Sequence, residues 1–238
     1  MVESAQHTSS KQKASAKKEP ACFVGLIRHG ERADYVPKSC TSKKYTVHHD
    51  PPLSDIGIQQ ALETGKALKK FLIEEQGYET IVIECSPFIR TMMTAANIVK
   101  GMGTGQVQIN YLFTELLAPH LFDDCPMGDI LLKKLDGVDF EHGDFFKPQA
   151  ERMYPESRTK GKERVQTMIQ HFKEKYKNCD QKVAHLAVTH GFFVNQFSKQ
   201  LNGQNPYADF CSISAMEIRG SKGTLVLDSD SNHVLSWS

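Results

Sequence analysis

Apolar and polar positions along this chain switch repeatedly between the period of a strand and that of a helix. Cys22–Ile27 is a short apolar run that predicts a first strand. Ala33 to Pro52 shows no periodicity and predicts a long loop. Ser54 follows as an N-cap, with Ile58, Ala61, Leu62, Gly65, Leu68 and Leu72 at helical spacing on one face. Thr80–Glu84 predicts a second strand. Ser86-Pro87 then predicts a helix start, a serine cap with proline at the first helical position, running to about Val99. Val107–Asn110 predicts a third strand. Val165, Met168, Ile169, Phe172 and Tyr176 mark an amphipathic helix over Arg158 to Tyr176. Ala184–Thr189 is the most apolar strand and should be central, with a helix from about Phe192 to Gln200 after it. Ser212–Ile218, Leu225–Leu227 and His233–Leu235 read as closing strands, the first two joined through Gly220 and Gly223.

Strands alternating with helices imply a mainly parallel sheet covered on both faces, a three-layer α/β/α architecture. Leu116 to Pro155 is irregular, rich in Asp, Gly, Pro and Phe, and too long for an ordinary connection. It reads as an inserted cap over the functional edge of the sheet. Residues 1–20 are polar and locally basic through Lys11, Lys13, Lys17 and Lys18, and read as a disordered, solvated tail.

Composition narrows the class. The 238 residues are 39% apolar, enough for one sizeable domain with an inserted lobe, here 21–238. A net charge of +1 offers no basic field for nucleic acid. No apolar run approaches the ~20 residues of a membrane span, and the N-terminal segment has no signal-peptide core. Six cysteines without a Cys-x-x-Cys spacing read as mostly free thiols, and no Asn-x-Ser/Thr sequon occurs, so a cytoplasmic location is expected. A homodimer is compatible with the sequence.

The chemistry gathers at three strand ends. The first supplies Arg28-His29-Gly30-Glu31-Arg32, the second Cys85-Ser86-Pro87 with Arg90, and the late central strand Thr189-His190-Gly191. In a parallel sheet these ends share the carboxyl edge, where ligands bind. Two histidines and up to three arginines would face one pocket suited to phosphate oxygens. A neutral imidazole there can attack phosphorus if its other ring nitrogen is held by a hydrogen bond. A carboxylic acid must protonate the leaving oxygen. Glu115 is the best placed, with Asp123 or Asp124 as alternatives.

On these residues the chain resembles the histidine phosphatase superfamily, in its phosphoglycerate mutase-like branch. The resemblance rests on Arg28-His29-Gly30-Glu31, Leu53-Ser54-Asp55-Ile56-Gly57 with Gln60-Ala61, Ser86-Pro87 with Arg90-Thr91 and Thr94-Ala95, Glu115, and His190-Gly191, in order over about residues 22 to 195. It implies that His29 is phosphorylated, that Arg28, Arg90 and His190 hold the phosphoryl group, and that Glu115 is acid and then base. It implies no metal and no cofactor, positive side chains supplying the charge stabilisation. Arg32, with Asp50-Pro51-Pro52-Leu53-Ser54 further on, resembles the phosphatase domain of the ubiquitin-associated and SH3 domain-containing proteins and their insect steroid-phosphate relatives. In that group the second arginine also touches phosphate. Only the phosphatase domain is expected in this length, with a shortened loop after Arg32.

The expected activity is that of a phosphoric monoester hydrolase acting on a phosphorylated small molecule or a phosphotyrosine-like substrate. Two other readings are a phosphoglycerate mutase or bisphosphatase, and an inactive phospho-ligand-binding protein. A mutase would carry Glu-Arg-His-Tyr-Gly around the acid, whereas this chain has Glu115-Leu116-Leu117-Ala118-Pro119. Glu31 is expected to orient the loop or pair with an arginine, His48-His49-Asp50 to form a solvated loop, and Cys85 to be a buried inert thiol. His185 is expected to be a packed core residue. Phe140, Phe145 and Phe146 either line a substrate pocket or anchor the cap.

Overall fold

Seven strands form one sheet in the order β4-β3-β2-β5-β1-β6-β7. They are β1 (Cys22–Arg28), β2 (Thr80–Cys85), β3 (Val107–Ile109), β4 (Phe140–His142), β5 (Val183–Thr189), β6 (Ile213–Arg219) and β7 (Lys222–Asp230). The computed structural model describes residues 21–37, 49–128, 140–142, 147–202, 204 and 207–237. The N-terminal tail, His48, Phe145 and Phe146 lie outside the described residues, as does most of the loop after Pro37. The pairings from β4 through β1 are parallel, and β6 and β7 close the sheet antiparallel. The expected mainly parallel sheet is therefore present, with β5 at its centre.

Helices α1 (Asp55–Leu68) and α2 (Ile89–Met102) cover one face, and α4 (Arg158–Tyr176) and α5 (Gly191–Asn202) the other. Alternation along β1 explains both layers. Phe23 and Ile27 enter the core with Leu68, Leu72, Met92 and Ile98, while Cys22, Val24 and Leu26 enter the core with Val165, Met168, Phe172 and Phe197. On α4 the buried apolar side chains Val165, Met168, Ile169 and Phe172 repeat at helical spacing. Each contributes about 1.5–3 kcal/mol by leaving water. Ser157 caps that helix by accepting from the Lys160 N–H.

Several expectations are corrected. Helix α1 does not end as a simple α-helix but continues as a π-helical stretch, Lys69–Glu75, which places Leu72 in the core. Ser86 and Pro87 do not start α2. That helix begins at Ile89, and its first N–H is capped by Asp50, whose Oδ1 accepts at 2.9 Å. Within the segment read as a cap, β4 pairs with β3 at the sheet edge and a short helix, α3 (Lys147–Glu151), follows. His233–Leu235 is not a strand. Residues 233–236 dock on α1, where Glu63 accepts from the N–H groups of Leu235 and Ser236. The β6–β7 turn uses Gly220 at φ +56°, while Gly223 already belongs to β7.

Candidate active site

Strands β2, β5 and β1 are adjacent, and their registers pair Cys85 with Val188 and Arg28 with Thr189. The three chemistry-bearing ends therefore emerge side by side. The backbone turns out of the sheet there under two parallel bonds, His29 N–H to Thr189 O at 3.0 Å and Ser86 N–H to Val188 O at 3.0 Å. The His29 and His190 rings stand 5.5 Å apart, edge to face.

The loop carrying His29 rests directly on the start of α1. A Cβ on Gly30 would come within 2.5 Å of Gly57 O, and one on Gly57 within 2.2 Å of Glu31 O. Only glycine at both positions allows backbone to lie on backbone. Around this contact Gly30 N–H donates to Thr94 Oγ1, Glu31 N–H to Gln60 Oε1, and Ser54 N–H to Glu31 O. The buried Glu31 carboxylate accepts from Ser54 Oγ at 2.7 Å, and that oxygen in turn accepts from Gly57 N–H. Glu31 thus orients the loop, as expected, through the α1 cap.

His29 Nδ1 lies 2.8 Å from Gly30 O. A carbonyl can only accept, so Nδ1 carries the proton and Nε2 keeps its lone pair. Burial, then the charges of Arg90, His190 and Arg28, push the His29 pKa well below its ordinary value. The imidazole is therefore neutral with a fixed tautomer.

Arg90 is almost completely buried, with its guanidinium over the Phe88 ring at 4.3 Å. It faces Asp50 at 3.5 Å, Glu115 at 3.5 Å and His190 Nδ1 at 3.2 Å. Arg28 donates from Nη1 to Ala208 O at 2.7 Å and lies 4.2 Å over Phe210. The Nε–H groups of Arg28 and Arg90 are buried without a hydrogen-bond partner among the described residues. His190 is fully buried, its Nε2 on Ser86 Oγ at 2.9 Å and its Nδ1 3.1 Å from Glu115 Oε2. Burial lowers its pKa to about 4, against the pull of Glu115. Burial alone would raise the Glu115 carboxyl, but His190, Arg90 and the Leu116 N–H outweigh it and hold it well below the usual carboxylate range.

The structure thus brings His29, Arg28, Arg90, Glu115 and His190 to one point. Glu115, rather than the exposed Asp123 or Asp124, is the carboxylate that meets His190 and Arg90. Arg32 sits at the rim, forked onto Asp34 at 2.9 and 2.6 Å with its guanidinium over Tyr35. Tyr35 and Phe210 pack with ring centroids 5.9 Å apart, and Phe210 lies 6.1 Å from His29, so an aromatic wall flanks the histidine.

The profile of the histidine phosphatase superfamily, branch 1, matches residues 24–231. The chain belongs to that superfamily. No curated protein matches it by sequence. Among solved structures it is similar in fold to a phosphoglycerate mutase from Bacillus anthracis, at 14% identity, TM-score 0.59, and 91% and 96% coverage of this chain and of that one. It is similar to the ecdysone phosphate phosphatase of Bombix mori in complex with tungstate, at 16% identity, TM-score 0.56, and coverage of 86% and 91%. A mutant phosphoserine phosphatase from Entamoeba histolytica with bound phosphoserine shares 18% identity at TM-score 0.55, covering 90% of this chain and all of that one.

Several residues of this histidine phosphatase site were not assigned these roles from sequence. Asp50 was expected in a solvated loop, yet it caps α2 and faces Arg90. Ser86 was expected to cap a helix, yet it holds His190. Tyr35 and Phe210 carried no motif. Cys85 is buried with a raised pKa from desolvation, as expected of an inert thiol. His185 is a core residue, as expected, held between Tyr176 Oη and Glu84 Oε2 at 2.7 Å each. No group of three metal-ligating side chains occurs among the described residues, and none of the described helices is long and apolar enough to cross a membrane.

Proposed function

We propose that this chain is a phosphomonoesterase working through a phosphohistidine on His29. The observation that carries the reading is the fixed tautomer of His29, which aims a bare Nε2 into a pocket of cations. The unpartnered Nε–H groups of Arg28 and Arg90 support it, since buried donors are nearly always satisfied and anionic oxygens would satisfy these.

In the first step His29 Nε2 attacks phosphorus, an N–P bond forms, and the P–O bond to the leaving group breaks. Glu115 gives its proton to the departing oxygen. In the second step water attacks phosphorus, Glu115 takes the water proton, the N–P bond breaks, and inorganic phosphate leaves. Arg28, Arg90 and His190 stabilise the charge on the transferred group in both steps. The resting carboxyl of Glu115 is held in its ionised form by Arg90 and His190. An incoming phosphate dianion offsets the charge of Arg90, so Glu115 gains its proton as the substrate binds.

The aromatic wall of Tyr35 and Phe210 favours an aryl leaving group, of the phosphotyrosine or small aryl phosphate class. This agrees with the resemblance of Arg28-His29-Gly30-Glu31-Arg32 to the phosphatase domain of the ubiquitin-associated and SH3 domain-containing proteins. Leu116, Leu117 and Ala118, which follow the acid, are buried, so this segment lends no side-chain polar group to a sugar phosphate. Phosphatase chemistry is favoured over a mutase on that ground.

The test is release of phosphate from p-nitrophenyl phosphate in EDTA. Activity should persist, and His29→Ala should remove it. A requirement for added divalent metal, or substantial turnover by His29→Ala, would reject the mechanism. The trapped phosphoenzyme should be acid-labile, as a phosphoramidate is.

A further inference from the structure

We propose that Arg164 and Glu156 form a positioning pair that aims the Glu115 carboxyl at the leaving group. The inference rests on the reading of Glu115 as the general acid. Neither residue belongs to a block of the family resemblance.

Glu115 sits on irregular backbone after the 3-10 turn Tyr111–Phe113. Such a segment has no ladder or helix of its own to fix it. Arg164, on the second turn of α4, reaches it with three of its donors and gives the other two to Glu156. Its Nη1 donates to Leu112 O and Thr114 O, each at 2.9 Å. Its Nη2 donates to Glu115 O at 3.1 Å and to Glu156 Oε2 at 2.6 Å, and its Nε to Glu156 Oε1 at 3.0 Å. A guanidinium has five N–H donors in a rigid fork, and all five are used here. Thr189 Oγ1 holds the one intervening carbonyl, that of Phe113, at 2.8 Å. The four consecutive carbonyls from 112 to 115 are thus pinned.

Glu156 closes the clasp from the other side. Its Oε2 accepts from Leu117 N–H at 3.1 Å, and its own N–H donates to Leu117 O at 2.7 Å. Between these anchors the Leu116 N–H donates to Glu115 Oε1 at 3.0 Å, which leaves Oε2 toward His190 and Arg90. Both partners are buried, Arg164 at 7% and Glu156 at 3% exposure, with the guanidinium 4.1 Å over the Phe193 ring. A buried ion pair is weak evidence for stability, since apolar residues of the same volume serve as well. What an apolar pair cannot do is fix three carbonyls and an N–H flanking one carboxylate.

The test compares kcat/KM on two aryl phosphates. Phenyl phosphate has a poor leaving group that needs the proton, whereas 2,4-dinitrophenyl phosphate leaves without it. Glu115→Gln sets the reference and should lose phenyl phosphate selectively, by about 10²–10⁴-fold. Arg164→Lys keeps the charge but offers three donors from one atom. It should lose about 10- to 100-fold on phenyl phosphate and under about 3-fold on the dinitrophenyl ester, a part of the same effect. Glu156→Gln keeps the shape of the side chain, should fold where Arg164→Lys does not, and should show the same selectivity on a smaller scale.

A merely structural role lowers the folded fraction and so cuts both substrates equally. Equal losses, or no loss, in both variants while Glu115→Gln stays selective would overturn the positioning role and leave the acid assignment standing. Equal losses in Glu115→Gln itself would overturn both.

Discussion

A single methyl group at Gly57 tests how the His29 loop is held. Built on the backbone, a Cβ at this position would lie 2.2 Å from Glu31 O, 2.8 Å from Glu31 N and 3.0 Å from Glu31 C. All three are main-chain atoms, so no side chain can swing aside. Ordinary contact begins at 3.4 Å, so Gly57→Ala must separate the loop from α1 by roughly 1 Å, a displacement that costs on the order of 10²-fold when it reaches a reacting group. The loop is tied to His29 by one peptide on each side of Gly30, and Gly30 rests on Gly57 in the same way. We expect kcat/KM on p-nitrophenyl phosphate to fall about 10²-fold, with a stability loss of about 1–3 kcal/mol from overpacking. Gly77→Ala provides the comparison. Gly77 has φ +65° with nothing within 4 Å of a built Cβ, and it precedes β2 at the end of the sheet remote from the site. Its alanine variant should lose about 1–2 kcal/mol from backbone strain alone and keep its activity. Thermal melts and steady-state kinetics on both variants separate the two effects. A Gly57→Ala enzyme within two-fold of the parent, at a stability matching Gly77→Ala, would refute the claim that this contact positions His29.

Three further outcomes follow from the site. Arg90→Ala should reduce kcat/KM by about 10²–10³-fold, because it removes a buried donor to the transferred group, whereas Arg32→Ala should cost less, since Asp34 already occupies that fork; a larger loss at Arg32 than at Arg90 would reverse the assignment. His190 is depressed from 6.5 to about 4, and His29 and His185 are shifted the same way by burial. As pH falls from 6.5 toward 4 the unfolded chain takes up protons that the folded chain refuses, so stability should decline through that window and be full above it. Melts across pH 4.5–7.5 check the sign, and His190→Asn should flatten the slope. Tyr35→Ala should raise KM about 3- to 10-fold for aryl phosphates, the worth of one aromatic contact, and leave glycerol phosphate unchanged; equal changes on both would remove the aromatic wall from substrate recognition.

The elements most legible in the sequence were those whose patterning answers to local periodicity. Cys22–Arg28, Thr80–Cys85 and Val183–Thr189 were readable as strands because continuous apolar runs fit a sheet buried on both faces. Helix α4 was readable because its apolar stripe repeats at helical spacing along its length. His233–Leu235 misled, because so short a run ending in two apolar residues fits a strand and also fits a segment docked on a helix. Its backbone found acceptors on Glu63 instead of a ladder. Ser86-Pro87 misled for a related reason. A serine before a helix caps it only if nothing nearer competes, and here His190, 104 residues later, takes the hydroxyl while Asp50 supplies the cap.

The sequence by itself determined which residue types stand at the strand ends, in what order, and with what spacing. In a parallel sheet that order is enough to bring Arg28, His29, Arg90 and His190 to one edge. Tertiary structure decided how each group is held: the tautomer of His29 by Gly30 O, the place of Arg32 at the rim by Asp34, the anchoring of Glu115 by Arg164 and Glu156. The reason is physical. Hydrophobic periodicity is a property of neighbours along the chain, whereas a buried polar group takes whichever partner the packing of distant elements leaves within about 3 Å.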